Sequence, residues 1–252
     1  MVNNEFLEPF EQMLGEVFPP AAVRAIEAGA SDTGGGEAAM QAVEESGFLD
    51  ALVAEDAGGA GLAIADVAPL WMALGRHAVP APVGQTMIER AAGDSDTDKR
   101  ANANALLRAA LIAGAAGRLL DMAVAYANER VQFGKPIGKQ QALQQNLAVM
   151  AQDVVAVRLA VELAASKGWP DMAQAATAKS VAAEAAPRIA NTAHAVFGAI
   201  GISAEHDLGL YTRAIHRWRL EGGAETLWSR QLGAAVLAST QPSVDWVRET
   251  LF

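Results

Sequence analysis

A short break between two long alanine-rich helical patterns is the feature that most constrains how this chain can fold. Phe133-Gly134-Lys135-Pro136 stands at the centre of the segment Tyr126–Gln145. Glycine accepts backbone angles that other residues avoid, and proline disrupts the interior of a helix. The patterns on either side therefore predict two long helices joined by a tight connection, and not one continuous rod.

The residues around this break have the chemistry of a nucleotide contact. Arg130 comes just before it, Gln132 and Phe133 lie within it, and Gln141 follows it. A guanidinium offers a planar fork of donors to phosphate oxygens, while an aromatic face and amides suit a base or ring and its polar edge. The alternative is a helix hairpin with a polar tip that binds nothing, and composition alone favours that alternative.

The remainder of the chain is also predicted to be helical. Between Pro80 and Asn104 no window shows the alternation or the β-branched and aromatic enrichment that strands need. Ser31–Gly36 is predicted to be a flexible loop, because it lacks the lysine or preceding strand of a phosphate-binding loop. Apolar spacing and Gly or Pro breaks predict helices over 4–17, 21–27, 37–47, 64–77, 85–92, 101–130, 138–168, 171–197, 205–220 and 224–238, with a packed tail over 246–252.

Composition narrows the possible functions. The 252 residues carry a net charge of −10, and the 19 basic residues are scattered, so nucleic acid is not an expected partner. Arginine, aspartate, glutamate or glutamine interrupts every apolar stretch before it is long enough to span a membrane, and there are no cysteines. Residues 1–20 lack the pattern of a secretory signal, so a cytoplasmic location and no membrane association are expected.

An anionic ligand would need a local positive site, for which Arg130, Arg213 and Arg217 are the candidates. A metal site is not expected, because none of the four histidines shows a paired spacing with carboxylates.

Three blocks of sequence closely resemble flavin-dependent acyl-CoA dehydrogenases. They are RVQFGKPI at Arg130–Ile137 followed by Gln141, the run His194–Trp228, and the run Ser46–Val83. The blocks occur in the order found in that family. The run His194–Trp228 most resembles the branch that includes steroid-degrading members.

The resemblance implies an all-α fold, an acyl-CoA dehydrogenase-like helical bundle with N-terminal helices and a C-terminal four-helix up-down bundle. It divides the chain into an N-terminal helical domain over 1–93, a polar linker over 94–100 and a C-terminal bundle over 101–252. That linker stands where the family has its middle β-domain, which covers one face of the flavin and supplies much of the acyl-CoA pocket.

The resemblance also assigns site residues. Glu221, in RLEGG, falls at or next to the glutamate that serves as catalytic base in many family members. The other interpretation of Glu221 is an exposed carboxylate favoured by the N-terminus of the following helix. The residues implied in FAD binding are Arg130, Gln132, Phe133 and Gln141, on the adenosine diphosphate half of a flavin held by the neighbouring subunit, and Gly198 and Gly201, which would allow close backbone approach.

The chain departs from the family pattern at three further positions. Ala199 stands where glycine is common, and Gly223 and Glu225 stand where threonine and glutamine often contact the flavin. A carboxylate at position 225 near a pyrophosphate is unfavourable unless it is paired.

Three functional hypotheses follow. The first is FAD-dependent α,β-desaturation of an acyl-CoA thioester, alone or with a full-length partner. The second is a catalytically degenerate helical subunit that dimerises with or scaffolds a full-length acyl-CoA dehydrogenase. The third is a sensor of a nucleotide or CoA ester. A homodimer or a dimer of dimers through the C-terminal helices is the expected assembly.

Overall fold

The computed structural model describes residues 5–29, 35–93 and 96–251, which are almost entirely helical. In chain order the elements are α1 (Leu7–Val17), α2 (Pro20–Glu27), α3 (Gly35–Glu45), α4 (Ile64–Arg76), α5 (Val83–Ala92), α6 (Thr97–Glu129), β1 (Val131–Gln132), β2 (Lys135–Pro136), α7 (Gln141–Ala165), α8 (Met172–Phe197), α9 (Leu208–Leu220), α10 (Glu225–Ala238) and α11 (Ser243–Leu251). The all-α prediction is confirmed, and most helix ends fall within a few residues of their predicted positions.

The predicted break is a minimal hairpin. Strands β1 and β2 pair antiparallel, with Val131 opposite Pro136 and Gln132 opposite Lys135. The two loop residues, Phe133 and Gly134, have φ angles of 52° and 77°. Positive φ at both positions is what a two-residue hairpin turn needs to match the twist of its strands.

Helices α6, α7, α8 and α9 form an up-down bundle with α6 at its centre. The Tyr126 and Phe197 rings, near the ends of α6 and α8, stack with centroids 4.4 Å apart, so these two helices run in the same direction. Arg108 and Lys179, near the starts of α6 and α8, both contact the end of α9, which therefore runs in the opposite direction. The predicted four-helix bundle is confirmed.

The N-terminal helices pack on this bundle through a close crossing of α4 and α6. A Cβ placed on Gly75 would lie 2.0 Å from the Leu111 carbonyl oxygen, and one on Gly114 would lie 1.8 Å from that of Met72. Such backbone contact is open only to glycine. One buried apolar cluster extends from Phe10 in α1 to Trp218 in α9, across both helical parts.

Helix α6 begins at Thr97, earlier than the predicted start near Ala101. The Asp96 side chain accepts a hydrogen bond from the Lys99 backbone N–H at 2.9 Å, which is a helix N-cap. The polar residues 97–100, which were predicted to belong to a linker, therefore form the first turn of α6. Only residues 93–96 separate α5 from α6, so no β-domain can lie between the two helical parts. Residues 94 and 95, like most of the predicted loop at Ser31–Gly36, lie outside the described residues.

Helix α6 is long and apolar enough to cross a membrane, judged by length and composition alone. Half of its most apolar window is buried within the protein. The helix contacts α4, α5, α7, α8 and α9, and the central helix of a bundle has the same composition as a membrane span.

Candidate functional site

The nucleotide-type residues lie together on an exposed turn at one end of the bundle. Arg130, Gln132, Phe133 and Gln141 are all exposed, and Phe133 is 93% accessible. A bulky residue at positive φ is uncommon and strained. An aromatic ring held in such a conformation and in contact with solvent is available to a ligand or to another chain.

The segment Gly198–Ile202 lies at this same end. It follows Phe197, whose ring stacks on Tyr126 and contacts the ring of His206 with centroids 4.8 Å apart. Gly198 has a φ of 60° and nothing within 4 Å of its Cβ position, so backbone conformation alone favours glycine there. We call the residues Arg130–Ile137, Gln141 and Gly198–Ile202 the turn end.

Gly201 has a different reason to be glycine. A Cβ there would meet Leu208 Cδ2 at 2.7 Å and Phe197 Cβ at 2.8 Å. The position is buried against its own neighbours, and close packing accounts for the residue without a ligand. The predicted flavin contacts of Gly198 and Gly201 stay predictions.

Glu221 lies at the opposite end of the bundle. It caps the C-terminus of α9 and pairs with Arg108, near the start of α6. Arg108 and Glu129 are 21 residues apart in α6, which at about 1.5 Å per residue separates them by roughly 32 Å. One chain therefore cannot bring Glu221 and the turn end to the same point.

Both oxygens of the Glu221 carboxylate face arginines. Oε2 lies 2.6 Å from Arg108 Nε, and Oε1 lies 3.7 Å from Arg217 Nε. The Gln85 amide, with its oxygen towards Arg108, accepts from Arg108 Nη2 at 2.5 Å and from Nη1 at 3.0 Å. Burial lowers the pKa of Arg108, and the neighbouring Glu221 opposes that shift. The carboxylate is held firmly through Oε2, and Oε1 is its freer atom.

A buried lysine hydrogen-bonds the last carbonyl groups of α9, next to Glu221. Lys179 of α8 is fully buried, and its Nζ donates to the carbonyl oxygens of Trp218 and Arg219 at 2.5 and 3.1 Å. These carbonyls belong to the last turn of α9, which lacks partners within the helix. Burial, followed by the charge of Arg108, lowers the pKa of Lys179 to about 7. We call Arg108, Lys179 and Glu221, with Gln85, the carboxylate end.

The connection after Glu221 is held by two further contacts. Arg219 donates to Glu225 through Nε at 3.1 Å and Nη2 at 2.5 Å, and the hydrogen bond from Arg219 lowers the pKa of Glu225. Trp228 Nε1 donates to the Gly222 carbonyl oxygen at 3.0 Å. The carboxylate at position 225 is thus paired within its own chain.

A cavity of about 830 Å³ opens beside Glu221. It lies between α2, the segment joining α4 to α5, and helices α6 and α9, and its size suits a small organic ligand. Its lining residues are Arg24, Ile26, Glu27, Ala28, Leu74, Val79, Pro80, Ala81, Pro82, Gly84, Gln85, Arg108, Leu111, Arg213, Arg217, Trp218 and Glu221. The candidate arginines at 213 and 217 therefore belong to the Glu221 cavity and not to the turn end.

Sequence reasoning missed the partners of Glu221. Arg108 and Lys179 come from helices that are remote in sequence, and Gln85 comes from α5. A weak signal was present for Lys179, since Ala175, Ala182 and Ala186 share its helix face and are all buried. Within the described part of the chain, no group of three or more histidines, aspartates or glutamates could hold a metal ion.

Comparison with known proteins agrees with this architecture. The family model for the acyl-CoA dehydrogenase C-terminal domain matches residues 91–237. Acyl-CoA dehydrogenase IpdE2 of Mycolicibacterium smegmatis is 40% identical over 121 residues, which are 48% of this chain and 38% of that protein. The match thus spans well under half the length of that relative.

Two solved structures complete the comparison. Butyryl-CoA dehydrogenase from Megasphaera elsdenii matches with 33% identity and a TM-score of 0.53, over 55% of this chain and 37% of that one. A chain of the ChsE4-ChsE5 complex from Mycobacterium tuberculosis matches with a TM-score of 0.79 at 17% identity, over 94% of this chain and 98% of that one. A family match over more than half of the residues places this chain in the acyl-CoA dehydrogenase family, although its helical fold continues from α5 to α6 without a β-domain.

Proposed function

We propose that this protein is a subunit of an FAD-dependent acyl-CoA dehydrogenase that desaturates an acyl-CoA thioester between its α and β carbons. The observation that carries the proposal is the separation of the turn end from the carboxylate end by roughly 32 Å along α6. Each end offers part of a site, so each needs groups from another chain to be complete.

The turn end supports a role in holding FAD on a neighbouring subunit. Arg130 supplies a guanidinium for a phosphate, Phe133 an exposed aromatic face, and Gln132 and Gln141 amides for polar edges. All four are exposed on one short hairpin and its flanks. Glu225 lies at the other end of the bundle, close to Glu221, and its pairing with Arg219 means that it adds no unpaired carboxylate there.

The carboxylate end supports a role in proton transfer. Desaturation needs a base that takes the proton from the carbon beside the thioester, and FAD, when bound, accepts the hydride. Glu221 lines the cavity, and Arg108 fixes its Oε2 while Oε1 makes only the longer contact to Arg217. Oε1 is therefore the atom that would receive the proton.

The missing β-domain supports dependence on a partner chain. Without a β-domain to cover one of its faces, a flavin ring would be exposed to water. It would then lack the dry, oriented environment that hydride transfer requires. The chain of similar length and fold in the ChsE4-ChsE5 structure belongs to a complex of two different proteins. We expect a full-length family member to supply the cover for the flavin of this subunit.

A second candidate is a subunit without catalysis that scaffolds a full-length acyl-CoA dehydrogenase. The specific observation in its favour is the pairing of Glu221 with both Arg108 and Arg217, because a carboxylate occupied by guanidinium groups is less free to act as a base.

Desaturase turnover of the protein alone, of a full-length partner alone and of their complex tests both proposals. We expect turnover in the complex, and we expect Glu221→Gln to lower it by about 10²-fold or more, as loss of a general base does. Unchanged turnover in the Glu221→Gln complex would assign catalysis to the partner and favour the scaffold. A protein that binds no family member and turns over no thioester would refute both.

A further inference from the structure

The cavity beside Glu221 contains more positive charge than its own carboxylates balance. Arg108, Arg213 and Arg217 line it together with two acids, Glu27 and Glu221. Three guanidinium groups therefore share two carboxylates. The chain as a whole carries a net charge of −10, so this local excess runs against the overall composition.

Each of these two acids pairs with two of the three arginines. Glu27 binds Arg213 through Oε2 at 3.0 Å and Arg217 through Oε1 at 3.1 Å. Glu221 binds Arg108 closely and Arg217 at 3.7 Å. A guanidinium has five N–H donors, so the two arginines of α9 retain donors beyond those used by Glu27.

The fourth arginine in the lining does not remove the imbalance. Arg24 pairs with Asp207 and also donates to the Glu205 carbonyl oxygen at 2.9 Å. This pair is neutral in itself. Its acid, Asp207, does not line the cavity, so it does not pair with the other arginines. Three arginines therefore still share two carboxylates around Arg213 and Arg217.

The exposure of the arginines indicates where an additional anion would bind. Arg108 is 12% exposed and is held by Glu221 and Gln85. Arg213 and Arg217 are 62% and 41% exposed and sit one helical turn apart on α9. Their paired guanidinium groups fit a carboxylate, which accepts hydrogen bonds on both oxygens.

We infer that the acyl group taken by this cavity carries a carboxylate of its own, so that the substrate class is the mono-CoA thioester of a dicarboxylic acid. Arg213 and Arg217 bind this distal carboxylate, and the thioester end lies beside Glu221. The inference rests on the proposed function and specifies its substrate. Both groups line the same cavity of about 830 Å³, and Arg213, one helical turn before Arg217 on α9, is the arginine farther from Glu221.

The phosphates of CoA are the other source of an anion for these arginines. Every CoA thioester carries them, whereas only a dicarboxylic acyl group carries the distal carboxylate. Adipoyl-CoA and hexanoyl-CoA separate the two sources, because both have six acyl carbons and differ in the terminal carboxylate.

The test is calorimetric titration of adipoyl-CoA, hexanoyl-CoA and free CoA into the complex of this protein with a full-length family member. We expect adipoyl-CoA to bind about tenfold more tightly than hexanoyl-CoA, as charge-assisted hydrogen bonds to a carboxylate predict. Arg213→Gln is expected to reduce that preference to about threefold or less, with Arg217→Gln as a second variant. Arg158→Gln, at an exposed i,i+4 pair on α7, is the matched control and should keep the preference.

The outcomes separate this inference from the proposed function. Equal affinity for the two thioesters, or an equal loss for both and for free CoA in Arg213→Gln, would overturn the dicarboxylic substrate and leave acyl-CoA binding intact. Absence of binding of either thioester to that complex would overturn both.

Discussion

The two ends of the bundle differ in how they are built. The turn end is an exposed hairpin whose residues are neighbours in sequence, and Phe133 extends into solvent there with 93% of its surface accessible. At the carboxylate end, Arg108, Lys179 and Glu221 come from three helices and are held by ion pairs and buried hydrogen bonds. One end depends on local backbone geometry, and the other depends on tertiary packing.

This difference predicts separate consequences for mutation. Changes at the carboxylate end should lower stability as well as activity, because they leave buried polar groups without partners. Changes at the turn end should alter ligand binding with little effect on stability, because few tertiary contacts depend on the exposed side chains.

Arg108→Met should have the largest effect on stability. It removes the buried partner of Glu221 and leaves the Gln85 amide without its donor, so the free energy of unfolding should fall by about 2–3 kcal/mol. Denaturant unfolding measures the change. Arg158→Met, at an exposed pair, is the control and should cost less than about 0.5 kcal/mol. Equal losses in the two variants would remove the distinction between the carboxylate end and the exposed surface.

Two glycines in one segment of the turn end, Gly198 and Gly201, should lose stability for different reasons when each is replaced by alanine. Gly201→Ala forces a Cβ against Leu208 and Phe197. Because this overpacks the site, the free energy of unfolding should fall by about 2 kcal/mol. Gly198→Ala meets no atom but must adopt a φ of 60° and a ψ of −139°, a conformation that residues with a side chain rarely occupy, which costs about 1–3 kcal/mol. Thermal unfolding of both variants measures the two costs, and a Gly201→Ala variant as stable as the unsubstituted protein would contradict the packing role of Gly201.

Lys179 should give the carboxylate end a pH dependence. Its pKa is lowered to about 7 in the folded state, below its ordinary value, so between pH 7 and about 10 the unfolded chain binds more protons at this residue. Stability should therefore rise with pH across this window, by at most about 1.4 kcal/mol per pH unit. Lys179→Met should lack the rise. A parallel pH profile for the two proteins would show that Lys179 stays charged.

Phe133→Gly should have the smallest effect on stability. The ring makes little contact with the protein, and glycine relieves the strain of a φ of 52°, so the free energy of unfolding should stay within about 1 kcal/mol or increase slightly. Chemical unfolding of Phe133→Gly beside the unsubstituted protein measures this. A loss of about 2 kcal/mol or more, the range of a buried side chain, would mean that the ring is part of the packed structure.

Sequence could predict the turn end because its information is local. Gly134 and Pro136 define the break, and the run Arg130–Ile137 carries the family resemblance within eight residues. The paired hairpin was not foreseen, since strands of two residues have no periodicity to detect. The helices followed from apolar spacing and from the breaks that end each of them, and their arrangement as a bundle followed from the family resemblance.

The carboxylate end could be predicted only in part. RLEGG identified Glu221, but its partner Arg108 lies 113 positions earlier and carries no motif. Long-range ion pairs depend on which helix faces meet, and one sequence does not specify that. The early start of α6 was missed for a simpler reason, because the polar run before it was interpreted as a linker and Asp96 was not recognised as a cap.

The affinity for FAD of the protein with its partner chain tests the central claim most directly, because the two ends are assigned to different tasks. Titration of FAD, followed by flavin absorbance, is compared for a variant combining Arg130→Gln with Phe133→Ala and for Glu221→Gln. Separate ends predict at least about a tenfold loss of FAD affinity in the first and an unchanged affinity in the second. Equal effects of the two variants on FAD affinity would contradict the account.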